Sequence, residues 1–357
     1  MLQSRVIMAF PTFNFIHAQE ITSLSRIGAV AICSFVLSMI LTPIYTRLAF
    51  KYKWWKQIRS ESTTGEVAAV FQKLHAEKHK RNIPTFGGVV SIISVVVVTI
   101  LFNFSRNQTW LPVFVLVVFG LLGLVDDYSN VYRRADKRGG LTPRTQLLML
   151  GLLSALAAAY FHYKLSYNMI HVPAVGDFSI GWLYIPLFIA VVVSTTKAVS
   201  ITDGLDGLAG GLLSTAFSVY AVIAYFQHNY GIAGFCATIV GVMLTYTWFN
   251  IYPARFFMGQ TGSTALGAAL GAVAMLTNSV FVLPIIGAVF VVEAGSSAVQ
   301  IASKKIFKRK IFLSAPIHHH LEAIGWPETR VTMRLWIIGQ VVGGLGLILA
   351  LLGNKVG

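Results

Sequence analysis

The 357-residue chain is short of charge, with only 11% of its residues Asp, Glu, Lys or Arg, against about 25% in an ordinary soluble domain. That shortage excludes a water-soluble enzyme. Cysteine is scarce too. Cys33 and Cys236 are the only two, which excludes a disulfide scaffold, and both lie in apolar runs where a small buried hydrophobe is at home. Acids are the rarest charges, 13 against 28 Lys plus Arg. Of the six Asp, four fall in two short strings, as Asp126, Asp127, Asp203 and Asp206. What is present is apolar: 55% of the chain is AVILMFWYC and the mean hydropathy is +0.70. A disordered chain lacks such content, and a bilayer-spanning helix needs roughly 20 apolar residues in a row.

Apolar runs bounded by charges predict ten transmembrane helices, at about 27–49, 86–104, 110–125, 146–162, 181–198, 207–226, 233–250, 262–277, 280–302 and 335–353. The fold class is therefore an all-α polytopic membrane protein, one integral membrane domain over 1–357. Alternate connections, at about 51–85, 126–145, 199–206, 251–261 and 303–334, carry 21 Lys and Arg, and those on the other side together with the C-terminal tail carry 3. The positive-inside bias places the first set in the cytoplasm and both termini outside. It also accounts for the net charge of +15 without a nucleic-acid partner. Residues 1–26 match a signal peptide poorly and read as an exported leader to the first helix. Residues 169–185 alternate around a Gly-Asp pair, as a small exported hairpin would.

Every unusual polar cluster lies on the cytoplasmic side of this topology: Asp126-Asp127, ITDGLDGLAGG at 201–211, FFMGQTGS at 256–263 and APIHHH at 315–320. Acidic residues at membrane helix ends are costly and face a partner or a watery cavity. Asp203 and Asp206, three apart, share a face of a helix or tight turn. With Asp126 and Asp127 they suit Mg2+, a hard cation that bridges carboxylates and substrate phosphates. His318, His319 and His320 cannot all aim at one zinc ion from a regular helix, and no Cys completes a set. Beside Lys304, Lys305, Lys308, Arg309 and Lys310 they suit a polyanionic ligand, although that basic run also reads as inside-loop charge or headgroup contact. Lys80 and Arg81, before PTFGG, admit the same two readings. Together the clusters could join a water-soluble nucleotide to a lipid phosphate, a reaction that needs positioning and charge neutralisation.

PTFGG (84–88), DDY (126–128), ITDGLDGLAGG, WFNIYPARFFMGQTGS (248–263), Gln300 and KRKIFLSAPIHHHLEAIGWPETRV (308–331) resemble the phospho-N-acetylmuramoyl-pentapeptide-transferase family. That family lies within the polyprenyl-phosphate N-acetylhexosamine-1-phosphate transferase superfamily. The resemblance implies ten transmembrane helices in a bacterial plasma (inner) membrane, with the active site facing the cytoplasm. It implies transfer of phospho-MurNAc-pentapeptide from UDP-MurNAc-pentapeptide to undecaprenyl phosphate, giving lipid I and UMP, with Mg2+, among membrane lipids and with a homodimer common. By the same resemblance Asp126, Asp127 and Asp203 are catalytic and Asp203 is linked to the metal. Asp206, Lys80, Thr85, Asn250, Gln300, His318, His319 and His320 are implied to bind substrate.

Several positions depart from the family pattern. Gln260 stands in MGQTGS where the family has a metal-binding Asp, so it offers a carbonyl oxygen without negative charge. Lys197 and Ser200 replace Asn, Asn130 replaces a frequent Lys, and Gln146 replaces a basic residue. Two other readings stay open: a relative that uses a different UDP-sugar, and a catalytically weakened homologue that acts as a binding partner.

Overall fold

The computed structural model describes residues 18–55, 82–105, 108–132 and 140–353. Its helices are α1 (Ala18–Lys51), α2 (Gly87–Phe102), α3 (Trp110–Tyr132), α4 (Pro143–Ala159), α5 (Tyr184–Thr202), α6 (Leu208–Phe226), α7 (Tyr230–Asn250), α8 (Gly259–Leu276), α9 (Leu283–Ile286), α10 (Ala288–Ile306), α11 (Ile317–Ala323) and α12 (Glu328–Gly353). The chain is an all-α, multi-pass membrane protein. Each of the ten predicted runs holds a helix, with α1 beginning nine residues before the predicted start and so taking in the end of the expected leader. Residues 1–17, which make up the rest of that leader, lie outside the described residues.

Among the described residues, seven helices are long and apolar enough to cross a bilayer, or eight if Val280–Ile286 and Ala288–Ile306 are one span bent by 79°. The ten-span expectation exceeds this count at α2 and α8. Helix α2 has 16 residues, about 24 Å of rise. Helix α8 is diluted by Gly, Ser and Thr, and every residue of it except Gln260 is buried, so it is lined by protein rather than lipid. Small residues let it serve as the bundle's axis: a Cβ on Gly88 of α2 would lie 2.1 Å from the Gly262 nitrogen. Outer helices show the opposite pattern. On α1, Ile32, Val36, Ile40, Ile44 and Leu48 are exposed at four-residue spacing, as are Leu148, Leu152 and Leu156 on α4. An exposed apolar stripe with helical period is the face that lipid covers.

At one end of the bundle the expected hairpin is present: β1 (Met169–Val172) pairs antiparallel with β2 (Gly176–Ser179). Asn278 Oδ1 accepts the His171 N–H at 2.9 Å and anchors it to the turn after α8. The tight turns at the other end carry the polar clusters.

Candidate active site

The opening turns of α2 and α8 are stitched together through the backbone. Gly87 and Gly88 donate their N–H groups to the Phe257 and Met258 carbonyls at 2.9 Å, and Phe257 N–H bonds the Pro84 carbonyl at 2.8 Å. These contacts satisfy amides that a helix start leaves without partners in its own helix and bring PTFGG against FFMGQTGS. Gly259 holds the junction with φ of +74°, a left-handed conformation that a side chain resists. A Cβ there would also meet the Asp127 carboxylate at 2.4 Å and the Thr85 hydroxyl at 2.6 Å. Thr85, Asp127 and the start of α8 therefore meet at one point. The Thr85 carbonyl accepts from the Tyr45 hydroxyl, while Thr85 Oγ1 is buried with no hydrogen-bond partner among the described residues.

The two neighbouring aspartates play different parts. Asp127, 1% exposed, accepts both the N–H and the hydroxyl of Thr261 on Oδ2, each at 2.8 Å. That bond places a negative charge at the N-terminus of α8, where the helix dipole favours it. Asp126 instead accepts the Leu141 N–H, holding the chain that enters α4.

Asp203 follows the last turn of α5 and is half-buried. Its position relative to α8 follows from an antiparallel register. Gly271 packs on Val192, Gly267 on Thr196, and the Ser200 hydroxyl donates to Ser263 Oγ at 3.2 Å. One further turn sets Asp203 level with Gly259 and Gln260. Next to it, a Cβ on Gly204 would lie 2.5 Å from His318 Nε2, so the histidine segment closes over the same loop.

Asp206, Asn250 and Gln300 are buried and bind backbone. Asp206 Oδ2 accepts the Ala254 N–H at 3.0 Å, and its own N–H bonds Glu328 at 2.7 Å. Asn250 accepts the Gly207 N–H at 2.8 Å and donates to the Phe256 carbonyl at 2.7 Å. Gln300 accepts the Ile311 and Phe312 N–H groups at 3.0 Å and donates to the Phe312 carbonyl at 2.9 Å. These three fix the loops 203–207, 251–258 and 308–313 in place. Lys80 lies outside the described residues.

The triple histidine divides in two. His318 Nδ1 is 2.7 Å from Glu293 Oε2, with both side chains fully buried, and His319 Nδ1 is 2.7 Å from Glu322 Oε2. His320 accepts the Leu313 N–H at 3.2 Å. A carboxylate on one ring nitrogen fixes the imidazole's orientation and leaves the other nitrogen for a ligand. In His318 that other nitrogen, Nε2, faces Gly204, buried and without a partner among the described residues. Glu293 and Glu322 were missed by sequence reasoning. A signal for Glu293 was there, since it is the one acid in the 280–302 run and an acid within a span is a functional pointer by default.

Three of the departures from the family pattern, Lys197, Gln146 and Gln260, are neighbours in space. The Lys197 ammonium donates to Gln146 Oε1, Gln146 Nε2 reaches Gln260 Oε1 at 3.4 Å, and Lys197 lies within electrostatic range of Asp126. Among the described residues no three His, Cys, Asp or Glu converge as a ready-made metal cage. Magnesium does not need one, because it keeps waters and takes one or two carboxylates with substrate phosphates. Asp203 and Gln260, set level by the register of α5 on α8, both offer oxygen donors.

Fold and site define a multi-pass membrane protein with carboxylates, amides and histidines gathered at one end of its helix bundle, and similarity to known proteins makes it a transferase. The sequence profile of glycosyl transferase family 4 matches residues 109–278, from α3 to the end of α8. The chain is 38% identical over 323 residues to the phospho-N-acetylmuramoyl-pentapeptide-transferase of Geobacillus sp., covering 88% of this chain and 95% of that relative. Against the protein of the same name from Chloroflexus aurantiacus it is 35% identical over 353 residues, 95% of this chain and 93% of the relative. The Bacillus pumilus protein is 36% identical over 322 residues, 88% and 95%. The chain belongs to the phospho-N-acetylmuramoyl-pentapeptide-transferase family.

Proposed function

We propose that the protein transfers phospho-MurNAc-pentapeptide from UDP-MurNAc-pentapeptide to undecaprenyl phosphate, forming lipid I and releasing UMP, at the cytoplasmic face of the bacterial inner membrane. A phosphate oxygen of the lipid attacks the phosphorus that carries the sugar, the bond from that phosphorus to the UMP oxygen breaks, and UMP leaves as the anion. Enzymes of this kind gain most from positioning and charge neutralisation. The observation that carries the reading is the cleft at the start of α8, where Thr261 binds Asp127, the Ser200–Ser263 contact brings up the end of α5 that leads to Asp203, and His318 faces Gly204. Full-length similarity to relatives named for that transfer supplies the substrates. The excess of Lys and Arg on the connections at this end supports the cytoplasmic orientation.

Within that cleft Asp127 fixes the start of α8, and Asp126 stands beside Lys197 where the lipid phosphate would be oriented. His318, held by Glu293, keeps Nε2 against the loop at Gly204, beside which the sugar nucleotide would lie. Asp203 and Gln260 would hold Mg2+, which when bound supplies positive charge to the phosphates. UMP release from UDP-MurNAc-pentapeptide, measured with purified protein, undecaprenyl phosphate and Mg2+, tests the reading. Dependence on both substrates and on Mg2+ is the expected result, and no UMP under any of these conditions refutes it. Gln260 favours one second reading, a homologue of weakened activity, which predicts that UMP release appears only in Gln260→Asp.

A further inference from the structure

Lys197 is a cation within α5, a candidate span, and such a residue is expensive unless it faces a partner or a watery cavity. Its hydrogen-bond partner is the Gln146 amide, which carries no charge, and that amide in turn reaches the uncharged Gln260. Asp126 is the acid in electrostatic range, and its Oδ1 already accepts the Leu141 N–H. The ammonium's direct partner is therefore a dipole, and among the described residues no carboxylate bonds it, which leaves it able to bind an anion.

Its location selects the anion. Lys197 stands six residues before Asp203, about 9 Å deeper along the helix, on the side closed by the first turn of α4. Just past Gln146, Leu147, Leu148 and Leu152 are exposed on the apolar outer face of α4, the face against lipid. His318 and the loop clamped by Gln300 lie on the other side of Asp203. A phosphate that arrives on a lipid meets Lys197 first, while a soluble nucleotide enters by the histidines.

We propose that Lys197 is a substrate-binding residue that holds the phosphate of the lipid acceptor, with Gln146 and Gln260 as the uncharged struts that aim it. The proposal rests on the transferase reading for the identity of that lipid. Binding is measured on the full-length protein in detergent and EDTA, so that no divalent ion supplies the charge. The ligands are undecaprenyl phosphate, undecaprenol and UDP-MurNAc-pentapeptide. Lys197→Met should weaken undecaprenyl phosphate at least tenfold, leave undecaprenol and the nucleotide within twofold, and be largely rescued by Lys197→Arg. Gln146→Leu, which keeps the charge and removes the strut, should show a smaller loss. Should Lys197→Met not fold, Lys197→Gln compared with Lys197→Arg makes the same charge test. Unchanged affinity for the lipid phosphate, or a fall in nucleotide affinity instead, overturns the proposal. UMP release by the unaltered protein is read separately. Lys197-dependent lipid binding without UMP release removes the transferase reading alone, and UMP release with Lys197-independent lipid binding removes this inference alone.

Discussion

The two halves of the cleft are built from different materials. On the histidine side, Glu293 and His318 are sealed from solvent and bonded at 2.7 Å, and Glu322 repeats the arrangement with His319. On the other side, Lys197, Gln146 and Gln260 are half-buried, joined by amides, and two of the three are uncharged. Burial without water makes a bonded polar pair rigid, and removing one partner strands the other. Long half-exposed side chains with neutral partners hold no such penalty and can move to suit a ligand. One half is a fixed socket and the other an adjustable arm, with Asp203 between them.

That position makes Asp203 the place where the largest effect is expected. Asp203→Asn keeps the shape and removes the charge that both halves share. UMP release should fall on the order of 100-fold, equivalent to about 2.7 kcal/mol in the barrier. The melting temperature should change little, because Asp203 is half-buried at a helix end. Turnover retained within a few-fold would mean that the halves do not meet at this residue.

The socket should break next. Glu293→Gln replaces the carboxylate that orients His318 by an amide that can still fill the space. A hydrogen bond to a charged group is worth about 1.5–3 kcal/mol, so a loss of roughly ten- to a hundredfold in turnover is expected, together with a lower melting temperature. Loss of stability with normal turnover would show that the pair only supports the fold.

Both halves were partly legible in the sequence, for different reasons. Composition and hydropathy located helices at all ten expected runs, because lipid-facing stripes and loop charges are local features. Two of the ten, α2 and α8, fall short of the length or hydropathy of the others, since a helix buried in protein needs small residues for close approach and gives up the hydropathy that marks a lipid-facing one. The motifs named Asp126, Asp127, Asp203 and His318, and the structure gathers them at one end. What spacing could not separate was the work of each acid. Asp127 and Asp203 read alike as carboxylates at helix ends, yet one is tied to Thr261 beneath α8 and the other stands at the junction of α5 and α8. Asn250 and Gln300 are implied by resemblance to bind substrate, and their side chains hold backbone loops. Such bonds join residues far apart in the chain, so no local pattern announces them. The linkage of Lys197 to Gln260 through Gln146 is of the same kind.

A smaller effect, of opposite sign, is expected from strengthening the arm. Gln260→Asp places a carboxylate level with Asp203 and at the end of the strut from Lys197. A unit charge about 4 Å from another is worth roughly 1–4 kcal/mol between bulk water and protein-surface dielectric. The Mg2+ concentration giving half-maximal UMP release should therefore fall about tenfold, with the socket variants responding in the same proportion as before. A half-maximal concentration that stays where it was would place the metal elsewhere than between Asp203 and residue 260.

The smallest effect should come from a carboxylate–imidazole pair that resembles the socket in chemistry and lacks its setting. His171 and Asp177 of the hairpin are also 2.8 Å apart, but the Asp177 side chain is 55% exposed. Water can replace either partner of such a pair, and solvent screening leaves exposed ion pairs little to contribute. Asp177→Asn should accordingly leave UMP release within twofold, and leave the melting temperature nearly where it was, while Glu293→Gln moves both. Equal responses to the two substitutions would mean that burial is not what sets the socket apart. The contrast between the cleft's halves would then have to rest on the identity of the groups alone.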